Sequence, residues 1–290
     1  MPMKVDSYRF KSKLLPLLRQ LEQAQADDAA AESRIRKAGC TGGLLFLGGF
    51  LGFFGGAFAV EAGLSPFVFA IPVGLIAAAI VFFVKAAKLT KFDLDNRKLE
   101  CAVGLLRMLR ADTPMQSDVE LELDLREYKE GGELVDQQKE GGSGGVRNFR
   151  YQHSWLALTG ALADGTRYRL AVSETVNRKE KPKRKGRVKL KERTAGSVQL
   201  QLRPKPGKYG PPESIVEALQ QTPPQPPLAL KSVRAAGPRL AATLVTGQHV
   251  KVTARRNSGE QGEENVVKSD ALLSALLWAY DGLGRAAKAG

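Results

Sequence analysis

Two long apolar stretches stand close together in the first third of the sequence. The first covers residues 38–60 and the second residues 64–84, and neither contains a charged side chain. A helix rises about 1.5 Å per residue, so about 20 residues cross a hydrocarbon core about 30 Å thick. The pattern predicts a two-helix transmembrane hairpin over residues 38–86, because bilayer hydrocarbon satisfies backbone groups only within a helix. A core hairpin in a soluble protein is less favoured, since little else in the chain would cover two helices that are apolar all round.

Basic residues flank both outer ends of this hairpin. Three precede the first stretch and three follow the second: Arg34, Arg36, Lys37, Lys85, Lys88 and Lys91. The short connection between the stretches carries one charge, on Glu61, and no basic residue. The positive-inside rule then places both ends of the chain in the cytoplasm and the connection outside. We therefore expect an integral protein of a bacterial inner membrane with both termini cytoplasmic.

Small residues recur at every fourth position in both stretches. They are Gly48, Gly52 and Gly56 in the first, and Ala70, Gly74 and Ala78 in the second. Such spacing lets two helix backbones approach closely in lipid, where packing contacts hold helices together. We predict that the two rows pack against each other within one chain, because the short connection keeps them at high effective concentration. Pairing between chains, which would give a homo-oligomer, is the alternative. Pro72 is expected to kink the second helix.

Cytoplasmic helices are predicted on both sides of the hairpin. In residues 1–37, apolar side chains recur at three- and four-residue steps from about Ser7 onward, which indicates one amphipathic helix. A second cytoplasmic helix is predicted within residues 87–112, and it ends before Pro114.

The rest of the chain has the alternation typical of antiparallel strands. Residues 113–206 form a predicted β-rich domain, in which one strand near 119–126 has an apolar face and a largely acidic face. An Asp164-Gly165 turn joins two further strands. Residues 207–227 read as a proline-rich linker with a short helix. Residues 228–290 read as strands near 228–233, 239–245 and 249–254, followed by an amphipathic helix.

These segments together predict an α+β membrane protein. Its parts are the transmembrane hairpin, flanking cytoplasmic helices and an antiparallel, β-rich cytoplasmic body capped by the C-terminal helix. The proline-rich segment can adopt polyproline II; a stiff spacer is the default interpretation, and an SH3-type ligand is the alternative.

Charge changes the picture at one segment. The net charge is +14, and residues 178–193 hold ten basic and two acidic side chains, so this segment alone supplies eight of those charges. We predict a basic hairpin arm whose candidate binding residues are Lys181, Lys183, Arg184, Lys185, Arg187 and Lys189. Anionic lipid headgroups would attract such an arm, as would nucleic-acid phosphates, although no interleaved aromatic side chain is available for base stacking. The third interpretation is a solvated arm that partly pairs with the acidic strand.

Candidate catalytic chemistry is sparse. His153 and His249 are the only histidines and have no metal-ligand neighbours at a useful spacing, so neither a metal nor a cofactor is expected. Cys40 and Cys101 would both face a reducing compartment, which disfavours a disulfide. We therefore expect a non-enzymatic interaction or scaffold protein that binds an unknown protein partner or anionic lipid. The alternatives are a channel-like or membrane-perturbing oligomer built from the hairpin, and an enzyme whose site has no recognised motif.

Overall fold

The computed structural model describes residues 7–61, 65–89, 95–114, 116–141, 145–183, 187–253, 259–261 and 265–289. The chain divides into two compact units. One, the hairpin unit, comprises residues 23–94. The other, the body, is built from residues 3–22 and 95–290. The expected mixed α+β class, with an antiparallel sheet and a C-terminal helix, is confirmed.

The helices are named here in chain order. They are α1 (Leu14–Glu61), α2 (Ala70–Leu89, preceded by a 3₁₀ turn over Pro66–Phe69), α3 (Asn96–Leu109), α4 (Tyr128–Gly131), α5 (Pro212–Gln221) and α6 (Ser269–Ala289). The strands are β1 (Ser7–Lys13), β2 (Asp118–Asp124), β3 (Glu133–Glu140), β4 (Val146–Ala161), β5 (Arg167–Lys183), β6 (Arg187–Arg203), β7 (Leu228–Ala236), β8 (Arg239–Thr253) and β9 (Gly259–Gln261).

Across the described residues, all strands belong to one antiparallel sheet in the body. Its order is β1-β2-β4-β5-β6-β8-β7, with β3 paired to β4 and β9 paired to β8 beside this path. Each of β4, β5, β6 and β8 is 15 to 17 residues long. Strands of that length extend beyond what the helices of one small body cover, and this leaves one end of the sheet for a separate use.

Two helices are long and apolar enough to cross a membrane, over Leu14–Phe58 and Phe67–Ala87. The first begins in the body and continues into the hairpin unit, which contains all of the second. Ser65 caps the 3₁₀ turn by accepting a hydrogen bond from the Phe67 N–H. The kink expected at Pro72 presupposes an interior helical position. α2 begins at Ala70, so Pro72 lies in its first turn, where no N–H needs a partner within the helix.

The N-terminal helix starts later than expected, because residues 7–13 form β1 rather than the first turns of a helix spanning 1–37. β1 pairs with β2 so that Arg9 lies opposite Glu122 and Lys11 opposite Glu120. Both pairs form ion pairs, at 2.9 and 2.8 Å. The alternating polar and apolar side chains of β1 suit this edge strand, and the leucine-rich helical pattern begins only at Leu14.

The helix predicted within 87–112 is divided differently. α2 continues to Leu89, and α3 starts at Asn96 with Asp95 as its N-cap, accepting a hydrogen bond from the Lys98 N–H. α3 buries an apolar face that includes Leu99 and Leu106, and it packs on α6 in the body. A Cβ at Gly104 would lie 2.8 Å from Ser269, so the two helices approach closely there.

The proline-rich segment 207–227 does not separate two domains. β8, which follows it, pairs with β6, which precedes it, and the sheet is therefore continuous across it. α5 packs on α6 and β7. The strands expected near 239–245 and 249–254 are one strand, β8, and the residues between them form an irregularity in its pairing, where Thr246 Oγ1 accepts a hydrogen bond from the Gly196 N–H.

The core lies at one end of the long strands. Alternate side chains there are buried under α3, α5 and α6, as Leu158, Leu170, Leu200 and Leu244 illustrate. The pairing register shifts beside Trp155 in β4 and beside Gly196 in β6. Such bulges bend a sheet and increase its twist. Beyond them the sheet continues as an extension that contains the predicted basic hairpin, and from here on we call the whole extension the arm. It consists of β3 and residues 146–153, 175–183, 187–195 and 248–253.

Candidate functional site

The arm presents a different set of side chains on each of its two faces. Residues directly opposite each other in antiparallel strands share a face, and so do residues two apart in one strand. In β5 and β6, Lys179 lies opposite Lys191, Lys181 opposite Lys189, and Lys183 opposite Arg187. Three successive rungs of the hairpin are therefore pairs of like charge.

The basic face continues across β4. Arg150 and Arg193 flank Asn177 in one rung, so they share the face of the lysine rungs. We define the basic face by eight side chains: Arg150, Lys179, Lys181, Lys183, Arg187, Lys189, Lys191 and Arg193. Among the residues that the structure describes, none of these eight forms an ion pair with a carboxylate.

The opposite face of the arm is internally neutralised. Arg178 lies 2.6 Å from Glu180 and 3.6 Å from Glu192 in ion pairs. The Tyr128 hydroxyl donates a hydrogen bond to Glu192, and burial followed by this hydrogen bond raises the pKa of Tyr128. Both acidic residues of segment 178–193 are therefore bound on this face. The segment's positive charge is concentrated on the other side.

This segregation has an energetic cost. Like charges directly opposite each other on a sheet destabilise it, by up to about 1 kcal/mol for each pair. Three such rungs would be relieved by an anion that lies between the strands. A surface that keeps its cations unpaired in this way is suited to attract an anionic partner.

A groove of about 430 Å³ lies at the base of the basic face. Its lining includes Arg150, Lys179, Lys191 and Arg193 of the basic face, with Asn148 and Asn177. Phe149 and Arg178, which alternate with these residues along β4 and β5, also contribute to the lining. On the β3 side the lining includes one carboxylate, Asp136, which accepts a hydrogen bond of 3.0 Å from Gln138. Asn148 donates to Glu140, outside the lining, at 2.9 Å. The groove is thus lined mainly by cations, with one acidic side chain at its β3 side.

The structure places four of the six predicted arm residues on this face. These are Lys181, Lys183, Arg187 and Lys189, whereas Arg184 and Lys185 lie outside the described residues. The third interpretation is a solvated arm that partly pairs with the acidic strand, and the pairing part of it is wrong. The acidic face of β2 is already matched by β1, through the ion pairs of Arg9 and Lys11.

Four contributors to the groove were missed as site residues. Lys179, Lys191 and Arg193 lie within the basic segment, and the alternation Lys179, Lys181, Lys183 was the signal that they share a face with the tip. Arg150 belongs to another strand, and only the long-range pairing of β4 with β5 brings it to the groove.

In the hairpin unit, the first predicted row of small residues lies partly against the second helix. A Cβ at Gly52 would be 3.2 Å from Pro72, and one at Gly56 would be 3.1 Å from the Phe69 ring. Gly48 is exposed, and a Cβ there would reach only Leu75, at 3.9 Å.

The second predicted row does not face α1 as a set. Gly74 has nothing within 4 Å of an added Cβ, Ala70 is exposed and Ala78 is half-buried. The side of α2 that is buried instead includes Pro72 and Ala79.

Among the glycines of α1, the one packed most tightly against α2 lies outside the predicted row. A Cβ at Gly49 would lie 2.7 Å from Ile76 Cγ1 and 2.9 Å from the Pro72 carbonyl oxygen. Between Ala38 and Gly56, apart from Gly39, the buried and half-buried positions of α1 alternate in steps of four and three: Ala38, Gly42, Leu45, Gly49, Gly52 and Gly56. This 3.5-residue repeat is the pattern of left-handed helix packing rather than of a strict four-residue glycine row.

A second polar cluster lies inside the body, between α3 and the sheet. The Lys98 side chain is 2 % exposed, donates to the Arg126 carbonyl and lies 3.4 Å from Asp95 Oδ2. Its Nζ is also 3.5 Å from His153 Nδ1. Burial lowers the pKa of Lys98, against the opposing charge of Asp95. Burial and then the charge of Lys98 lower the pKa of His153.

The remaining members of this cluster are paired. Arg97 donates two hydrogen bonds, of 2.7 and 3.1 Å, to the carboxylate of Glu174, which lies opposite His153 in the sheet. Burial would raise the pKa of Asp124, but hydrogen bonds from Arg126 bring it below its usual range.

We assign the cluster to fastening α3 on the sheet. His153 is 1 % exposed, and its Nε2 lies 3.5 Å from Asp124 Oδ2, so a substrate has no access to this pair. Gly131 closes the site, because a Cβ there would lie 2.8 Å from His153 Nε2. Within the described part of the chain, no group of three or more His, Cys, Asp or Glu side chains is placed to hold a metal ion.

The basic face and its groove are therefore the candidate functional site. In comparisons with known proteins, no protein-family model, no curated protein and no solved structure matches the chain.

Proposed function

We propose that this protein is a non-enzymatic interaction or scaffold protein, anchored in a bacterial inner membrane by its hairpin. In this proposal both termini and the body are cytoplasmic, and the body carries its binding surface on the basic face of the arm. The partner is an anionic surface or an acidic protein.

The observation that carries the proposal is the exposed apolar surface of the hairpin unit. The most apolar stretches of its two helices are only 17 % and 11 % buried. Large side chains such as Leu44, Phe58, Phe67 and Ile71 are more than 70 % exposed. Burying each such side chain is worth about 1.5–3 kcal/mol, and a soluble protein rarely leaves so large a contiguous apolar surface in water. Bilayer hydrocarbon covers it without any further protein.

The charge distribution supports the orientation. Basic side chains stand at both outer ends of the hairpin, and its connection has none. An excess of Lys and Arg marks the cytoplasmic side of membrane segments. The same orientation holds the strongly basic arm on the side where anionic lipid creates a negative surface potential.

The test is membrane retention of the full chain in alkaline carbonate. A double variant, Leu47→Arg with Ile80→Arg, puts one charge into each apolar stretch at exposed positions. Each Arg costs about 2.5–3.5 kcal/mol at the centre of a membrane helix, so we expect the variant to be extracted. The matched control is Leu277→Arg, at an exposed apolar position of α6, and it should stay with the membrane. Release of the unmutated chain by carbonate would contradict the anchor.

A further inference from the structure

The groove at the base of the basic face has a more specific character than a general positive patch. We propose that it binds the phosphate group of an anionic lipid headgroup. This inference rests on the proposed anchoring, because the anchor keeps the body close to such headgroups.

The donors around the groove match phosphate chemistry. Arg150 and Arg193 come from β4 and β6 and lie on either side of Asn177 in one rung. A guanidinium group presents two parallel N–H donors to phosphate oxygens, and an amide adds a neutral donor. Lys179 and Lys191 face each other in the next rung and contribute two further point charges.

A bound phosphate would also remove a repulsion that the empty groove contains. Lys179 and Lys191 are directly opposite, and neither has an ion-pair partner among the described residues. A phosphate between them replaces a like-charge contact by two attractive ones. Asp136 at the β3 rim disfavours an anion on that side, so the ligand is expected over β5 and β6.

The continuation of the cations favours a lipid surface over other phosphate sources. From the groove, the rungs Lys181–Lys189 and Lys183–Arg187 extend the basic face toward the tip. Two residues advance about 6.8 Å along a strand, so the row of rungs from Asn177 to Lys183 is about 20 Å long. One soluble phosphate ester fills the groove but leaves the row unused, whereas a planar array of headgroups meets both.

Single-stranded nucleic acid fits less well. Its recognition combines a basic groove with aromatic side chains on which the bases stack. One aromatic residue, Phe149, is among the residues that line the groove, but Phe149 and Tyr151 alternate with Asn148 and Arg150 along β4, so their side chains belong to the opposite face. There Tyr151 packs on Tyr128. The basic face is left with phosphate contacts only.

The experiment uses the full chain reconstituted in nanodiscs of phosphatidylcholine. These discs are mixed with vesicles of phosphatidylcholine alone or with added phosphatidylglycerol, and co-sedimentation gives the affinity. We expect binding only to the anionic vesicles. Each basic residue near an anionic surface contributes about 1 kcal/mol, which is about fivefold in affinity, so Arg150→Gln with Arg193→Gln should weaken binding about 25-fold.

A matched control separates the groove from general charge. Arg169→Gln with Arg203→Gln removes the same charge from exposed arginines in the same sheet, at the other end of its strands. We expect a change of less than about twofold there, since those residues are well over a Debye length from the groove. Arg150→Lys with Arg193→Lys keeps the charge but loses the forked donors, and an intermediate loss is expected.

Several results would overturn the inference. Equal losses in the Gln variants of the two arginine pairs would show that only net charge matters. Full binding by the lysine variant would show that no phosphate-specific site exists. Competition by inorganic pyrophosphate without any preference for anionic vesicles would assign the groove to a soluble phosphate, and tighter binding of a single-stranded oligonucleotide would assign it to nucleic acid. Failure of the chain to enter nanodiscs would instead contradict the proposed anchor, and the two failures are therefore distinguishable.

Discussion

The two ends of the long strands share one hydrogen-bonded ladder but differ in everything that their side chains do. At the covered end of β5, Tyr168, Leu170 and Val172 are at most 1 % exposed. Past Glu174, the same strand carries Arg178 and Lys179, and no apolar side chain beyond Val176 is buried. The buried side chains at the covered end fix the pairing register, and the backbone pairing of the arm continues in that register without a core of its own. The side chains of the arm are therefore not required for packing.

The two faces of the arm extend this contrast. One face pairs its charges, with Arg178 held between Glu180 and Glu192, and the other leaves eight cations unpaired within the described residues. A sheet selected only for stability would distribute these charges evenly. Under the proposed function, the separation lowers the stability of the arm in favour of binding an anionic partner, a trade common at functional sites.

The largest expected effect separates the two ends. Leu170→Ala should lower the free energy of unfolding by about 2–5 kcal/mol, because Leu170 is fully buried in the core. Leu190→Ala, at a half-buried position of the arm, should cost less than about 1 kcal/mol. Urea titration of the full chain in detergent micelles measures both. Similar costs at the two leucines would show that the arm has a core of its own.

An effect of intermediate size concerns the buried cluster where the two ends meet. The pKa of His153 lies below its usual value of 6.5, so below that pH the unfolded chain binds a proton that the folded chain resists. Stability should therefore fall as the pH drops below about 6.5, by at most about 1.4 kcal/mol per pH unit, and recover as it rises.

Variants of the two histidines isolate the contribution of His153 to the pH dependence of stability. His153→Gln should flatten the fall in stability between about pH 6.5 and 5, whereas His249→Gln, at the other histidine of the chain, serves as the matched control. Unfolding followed by urea titration at several pH values provides the comparison. An unchanged pH slope in His153→Gln would place the sensitive group elsewhere.

The division of the sheet into a covered end and a basic arm could be predicted only in part from the sequence. Each apolar stretch of the hairpin and the charge of segment 178–193 are local signals, and both are visible without a structure. Arg150 joins the basic face only through the pairing of β4 with β5, a contact that no local pattern reports. The sequence predicts helix where the structure has β1, because the seven residues of alternation directly precede a much longer helical pattern.

The glycine pattern illustrates a different limit. The sequence favours the strict four-residue spacing of Gly48, Gly52 and Gly56, but the α1 glycine packed most tightly against α2 is Gly49. Glycines are so frequent in this stretch that several spacings fit the sequence equally well. Which face meets α2 depends on the side chains of the partner, here Pro72 and Ile76, and not on the glycines alone.

The smallest expected effect tests the cost of the basic face directly. Lys181→Glu converts the Lys181–Lys189 rung from repulsion to attraction, and it should stabilise the arm by about 0.2–1 kcal/mol at low ionic strength. Hydrogen exchange of the β5 and β6 amides beyond the bulge reports this local stability in the full chain. Glu180→Lys, on the paired face, should have the opposite sign. Faster exchange in Lys181→Glu would mean that the like-charged rungs do not destabilise the arm.

The central claim, that the hairpin crosses a membrane and leaves the body inside, is tested most directly by cysteine labelling in intact cells. In a chain carrying Cys40→Ser and Cys101→Ser, single cysteines are introduced as Glu61→Cys or Gly63→Cys in the connection, and as Ser7→Cys or Gly290→Cys at the ends. We predict that a membrane-impermeant thiol reagent labels the first two from outside, and labels the last two only after the cells are opened. Labelling of the ends in intact cells, or protection of all four positions, would contradict the account.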